Sequence, residues 1–201
     1  MLTNFQILEL APKMSIPLHS VEFKDQLDVN DLEVGKSYVI NLSDEKDEDG
    51  DANGGSHWTC LHIGKHKGVI CPFYFDSYGI APPENVKKMV MKRFNKKINY
   101  ATKNVQSIMS DCCGWFCLAY LNAFYNKTGD IFVDTATFLD LFEDLDISTD
   151  WKKNEFILKL FYQEPNKAPT GLDKVFDTKM ANDITKGKEG IEVDIENVKL
   201  R

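Results

Sequence analysis

The segment from Cys113 to Tyr125 (CGWFCLAYLNAFY) constrains this chain more than any other. Read as a helix, it is apolar on nearly every face, so it has no side to give to water and belongs in the middle of a core. The polar loop Thr102 to Asp111 precedes it, which puts its first turn at Cys113. Layers must then pack around it, and a chain of 201 residues with 43% hydrophobic content can supply them in one sizeable domain.

Periodicity predicts those layers. Val34-Gly35 leads into a strand through Tyr38, Val39, Ile40 and Leu42, whereas Pro12 and Pro17 interrupt an uneven start to which no chemistry attaches. His57 to Ile63 reads as a strand, 64–68 as a turn, and Val69 to Asp76 as the returning strand of a hairpin. A helix is expected from Pro82-Pro83 to about Lys97, with Val86, Met89, Val90 and Phe94 inward, then a short strand from Ile98 to Ala101. Two amphipathic helices, Asp134 to Leu145 and Asp150 to Tyr162, complete a domain spanning 1–162. The pattern loosens over 163–201, an extension that reads first as an ordered accessory segment and second as a mobile tail.

The start of the apolar helix is also where chemistry is expected. Unpaired N–H groups and the helix dipole favour an anion there, so a cysteine at that position gains thiolate character. Gly114 leaves room beside it for a substrate backbone. In the hairpin, the residue entering the first strand lies beside the residue leaving the second, so the Asp76 carboxylate can reach His57. A lone histidine is more often structural than catalytic; the position opposite Asp76, followed by Trp58, favours catalysis here. Trp58 itself reads equally well as a wall of the site or as packing. Gln106 lies seven residues before Cys113 and is a candidate oxyanion donor.

Competing assignments use the same residue types. Cys117 falls within the apolar run and reads as a core thiol, while Cys112 precedes the helix and competes directly with Cys113. The cysteine spacing matches no common structural zinc pattern, and no metal is expected. His66 is expected to be exposed in a turn between lysines, and His19 has no motif around it. Glu45, Asp47, Asp49 and Gly50 imitate the start of a calcium loop, but the twelfth position from Glu45 is Ser56 and not a bidentate glutamate. A flexible acidic loop is the expectation for 43–55.

Charge and cysteine content set the surroundings. The five cysteines, two of them adjacent, argue against a disulfide framework and for a reducing compartment. No apolar run reaches membrane-spanning length, and Met1 to Lys13 lacks the layout of a secretion signal. A formal charge of −7 opposes nonspecific nucleic-acid binding by the whole surface. The local basic stretch Lys87, Lys88, Lys92, Arg93, Lys96, Lys97 and Lys103 reads first as a solvated helix face and second as a contact for nucleic acid or an acidic partner.

Four blocks together, Gly54-Gly55-Ser56-His57-Trp58, Phe75-Asp76-Ser77-Tyr78-Gly79, Val105-Gln106-Ser107 and Cys113-Gly114-Trp115-Phe116-Cys117, followed by Phe124, resemble the adenovirus maturation proteases. More loosely, they are similar to the SUMO-specific proteases of the same clan, whose six-residue step from glutamine would select Cys112. The resemblance covers roughly residues 50–127 and looks most like the virophage and self-synthesising-transposon members. It implies an α+β fold in which a central helix bearing the cysteine packs on a mixed sheet. It also implies His57 as base and later acid, Asp76 as its orienting partner, Cys113 as nucleophile, and Gln106 with the Cys113 N–H as oxyanion hole. Trp58 and Gly114 would contact substrate. The implied substrates are capsid precursor proteins cut near glycine during particle maturation, in the virion and host-cell cytoplasm, by a monomer. Asp76 stands where adenovirus enzymes commonly have glutamate. Those enzymes are basic and use DNA as a cofactor, so DNA activation is not carried over to this acidic chain and no cofactor is expected. A protease that removes ubiquitin-like proteins and a noncatalytic capsid-associated protein are the alternative readings.

Overall fold

The computed structural model describes residues 1–125 and 128–163, and within them the chain is α+β with a mixed five-stranded sheet. The strands are β1 (Leu18–Phe23), β2 (Ser37–Asn41), β3 (Trp58–His66), β4 (Val69–Phe75) and β5 (Asn99–Tyr100), paired in chain order. The outer pairings, β1 with β2 and β4 with β5, are parallel; the inner ones are antiparallel. The helices are α1 (Asn4–Lys13), α2 (Glu84–Phe94), α3 (Cys113–Tyr125), α4 (Ile131–Leu139) and α5 (Trp151–Gln163).

Strand alternation sends side chains into two cores. Tyr38, Ile40, Leu61, Ile63 and Tyr74 meet Val86 and Val90 of α2 on one face. Val39, Trp58, Cys60, Phe73 and Phe75 meet α3 and residues of α1, α4 and α5 on the other. α3 lies in the middle of that second core, with every residue buried except Trp115 and Tyr125. Each large side chain so removed from water contributes about 1.5–3 kcal/mol, which is why the helix tolerates no polar face. Phe75 stacks on Tyr120 at 4.5 Å between ring centroids, fixing α3 against β4.

Several expected boundaries shift. Gly64 and Lys65 belong to β3, and the turn is the two residues Lys67-Gly68, at φ 49° and 80°, the positive angles a two-residue hairpin turn requires. His66 therefore lies in a strand and not in an exposed turn: its Nδ1 pairs with Asp130 at 2.8 Å and its ring packs edge-on against Phe132. α4 begins at Ile131, because Asp130 is its cap, accepting the amides of Phe132 and Val133. Asp134, expected as the start, is buried in the first turn and accepts from Thr128 and Gly129. α1 and β1 arise from the segment where no element was assigned. The acidic loop makes a reverse turn in which the Asp47 carboxylate accepts the amides of Asp49 and Asp51. The expected extension after Gln163 lies outside the described residues.

Candidate active site

The site forms where the end of the β3–β4 hairpin meets the start of α3. The register pairing Cys60 with Phe75, continued three residues, sets His57 opposite Tyr78 and places Asp76 diagonally on the same side. The observed contacts follow: His57 Nε2 lies 2.9 Å from Asp76 Oδ1, and the imidazole stacks on the Tyr78 ring at 4.6 Å. Asp76 is fully buried as a side chain, and its Oδ1 also accepts the Tyr78 amide at 2.8 Å.

Cys113, the first residue of α3, lies close enough to the imidazole to act on it electrostatically. Nε2 is held by Asp76, which leaves Nδ1 as the ring nitrogen available to a second partner. Burial works against the charged ring, but the hydrogen bond to Asp76 and the negative charge of Asp76 and Cys113 outweigh it and push the imidazole up to about 9. His57 is thus an imidazolium at neutral pH, held by the Asp76 carboxylate. The pairing separates the adjacent thiols: His57 engages Cys113, while Cys112 has no such contact and burial raises its thiol. Cys117 is a core thiol that donates to the Trp58 carbonyl, and burial pushes it well above the usual range. The other buried histidine, His62, is lowered by burial to about 4, so it is neutral; its Nδ1 lies 2.8 Å from Ser37 Oγ.

Gln106 enters from the 102–112 loop. That loop is tied to the hairpin by the amides of Val105 and Gln106, both donating to the Ser77 carbonyl, and to α5 by Asn154, which donates to the Val105 carbonyl. Gly79 permits the contact: at φ 70°, a Cβ there would lie 2.4 Å from the Thr102 carbonyl oxygen. The Gln106 amide accepts from Ser77 Oγ at 2.7 Å, and its nitrogen donates to the Ser110 carbonyl at 2.8 Å and to the Tyr78 hydroxyl at 3.1 Å. His57 and Asp76 are therefore in direct contact, Cys113 lies beside the imidazole, and Gln106 joins them through Tyr78.

Trp58 and Gly114 sit differently from the other four. Trp58 is buried in the α3 core and donates through Nε1 to the Leu2 carbonyl at 2.7 Å. Gly114 is close-packed between the two: a Cβ there would be 3.1 Å from Leu2 Cβ and 3.3 Å from Trp58 Cδ1. Leu2 thus covers the side on which a substrate backbone was expected, and Cys113 is 1% exposed. Sequence reasoning gave no role to Tyr78, although it lies inside the quoted Asp76-Ser77-Tyr78-Gly79 block. Its position two residues after the acid, and so opposite His57 in the continued register, was the available signal.

Within the basic stretch, Arg93 of α2 and Lys103 of the 102–112 loop donate to the carbonyls of Leu32 and Leu139, so neither is a free surface cation. Lys88, Lys92, Lys96 and Lys97 are exposed. No helix among the described residues is long and apolar enough to cross a membrane. No protein-family model matches this chain, and no curated protein matches it.

Proposed function

We propose that this chain is a cysteine endopeptidase of the adenovirus maturation type, cutting capsid precursor proteins near glycine during particle assembly in the virion and host cytoplasm. The observation that supports this reading is His57 bonded to Asp76 and placed beside Cys113, with the sulfur at a helix N-terminus. Transfer of the thiol proton to the imidazole gives a thiolate–imidazolium pair, which supplies both the attacking sulfur and the proton for the leaving group. The thiolate attacks the peptide carbonyl, His57 protonates the departing amine, and water hydrolyses the thioester with His57 as base. Asp76 holds the ring in the orientation that leaves Nδ1 available to sulfur.

The decisive experiment incubates wild type, Cys113→Ala and Cys112→Ala with capsid precursor and, separately, with fusions of ubiquitin-like proteins. The reading expects cleavage of the capsid precursor by wild type and Cys112→Ala, and none by Cys113→Ala. Cleavage of only the ubiquitin-like fusions would give the chain to deconjugation, and unimpaired cleavage by Cys113→Ala would remove the thiol mechanism.

A further inference from the structure

The hydrogen-bond accounting around Gln106 leaves it nothing to give a substrate. The Ser110 carbonyl can only accept, so the amide atom 2.8 Å from it is nitrogen and the orientation of the group is settled. Its second N–H goes to the Tyr78 hydroxyl at 3.1 Å, and its oxygen takes the Ser77 hydroxyl at 2.7 Å. Both donors are spent, and the side chain is 2% exposed, so turning either of them toward a substrate breaks a buried bond.

Tyr78 has the opposite balance. Its hydroxyl oxygen receives the Gln106 N–H, and no acceptor for its own proton is found among the described residues. Three restraints hold it: its backbone N–H donating to Asp76 Oδ1, the stack on the His57 ring at 4.6 Å, and the Gln106 contact. The residue is half-buried, so something entering the site can still meet it. A hydroxyl that accepts one hydrogen bond is polarised into a stronger donor of the next. Burial first, then the negative charges on Cys113 and Asp76, raise the phenol, so it stays protonated where the base and nucleophile work.

We propose that Tyr78 is the side chain that donates a hydrogen bond to the carbonyl oxygen in the tetrahedral intermediate, and that Gln106 is a positioning residue acting through the Tyr78 hydroxyl. This rests on the thiol-protease reading above. When the Cys113 sulfur bonds to the carbonyl carbon, the C=O π pair moves onto oxygen. That oxygen accepts the Tyr78 O–H without taking its proton. As the C=O re-forms, the bond to the leaving group breaks, and that group departs with the His57 proton.

The test uses the full chain as wild type, Tyr78→Phe, Gln106→Ala, the double variant and Cys113→Ala. The probes are p-nitrophenyl acetate as acyl donor, acetyl-glycyl-glycinal as the inhibitor that forms a tetrahedral adduct, and iodoacetamide, which alkylates sulfur without forming an oxyanion. Tyr78→Phe keeps the ring stack and removes only the donor. It is expected to lower acyl hydrolysis and weaken glycinal binding by about 10²-fold, the size of one lost oxyanion donor, while Cys113 alkylation stays within about twofold of wild type. Gln106→Ala in the Tyr78→Phe background is expected to add little, because the two act as one unit. Hydrolysis by Tyr78→Phe at or above the wild-type rate overturns the donor role, and a further loss of about 10²-fold in the double variant returns that role to Gln106. If wild type shows no more hydrolysis or site-specific alkylation than Cys113→Ala, the thiol-protease reading itself fails and this proposal falls with it.

Discussion

His57 makes the stability of the fold depend on pH in a direction set by its two partners. Its ordinary value of 6.5 is raised to about 9 in the native state. Below about pH 6.5 the ring is protonated whether the chain is folded or not, and the favourable contact with Asp76 is fully present. Between 6.5 and 9 the unfolded chain has released the proton while the native state still holds it, so stability falls as pH rises through this window. A difference of about 2.5 units at 1.36 kcal/mol each gives a loss of about 3 kcal/mol by pH 9. The side chain is 11% exposed, so solvent screens little of this. Urea titrations at pH 6, 7.5 and 9 measure it directly. His57→Gln is expected to lack this fall and Cys113→Ala to keep the Asp76 part, while wild type shows the whole. A wild-type midpoint that falls no more steeply than that of His57→Gln would refute the ion-pair account of the site.

Three other perturbations probe what holds the site in place. Gly79→Ala puts a Cβ into the Thr102 carbonyl at a backbone angle unsuited to it, and is expected to cost more than about 2 kcal/mol in urea unfolding; an unchanged midpoint would deny that the two loops are in contact. Leu2→Ala removes the buried side chain over Gly114, with an expected stability loss of about 2–4 kcal/mol and faster alkylation of Cys113; an unchanged alkylation rate would mean that Leu2 does not cover the thiol. Asp130→Ala deletes the cap of α4 and the partner of His66, an expected loss of about 1–2 kcal/mol near neutral pH. Although burial favours the neutral acid, the His66 bond and the helix amides hold Asp130 below the usual carboxylate value. Its contribution is therefore present above the ordinary carboxylate range and lost as pH falls through the lowered value, which acid unfolding of wild type against Asp130→Ala would show.

What could be read from the chain divides along a physical line. The apolar period of α3, the alternation of β3 and β4, and the helix of Val86 and Val90 are local signals, and each appears where periodicity put it. Boundaries failed where a residue serves tertiary packing and not the local chain. Gly64 looked like turn punctuation, but it lies in β3, and a Cβ there would come within 3.0 Å of Ile131 and 2.9 Å of His62. α1 was obscured by Pro12 in its last turn, although the Thr3–Gln6 capping box announces its start.

The same line runs through the site. His57 and Asp76 are 19 residues apart, and hairpin arithmetic joins them because antiparallel register converts sequence distance into position. Ser77 and Gln106 are 29 apart, and the path between them runs through a helix, a short strand and a loop with no shared register. Spacing could therefore nominate Gln106 as a partner of the thiol, but not say which way its amide would turn. The direction depends on Ser110 and Tyr78, two acceptors that only the folded loops bring to it. Spacing along the chain thus nominates Cys113 and His57, while the part taken by Gln106 turns on hydrogen bonds that form only when the two loops close.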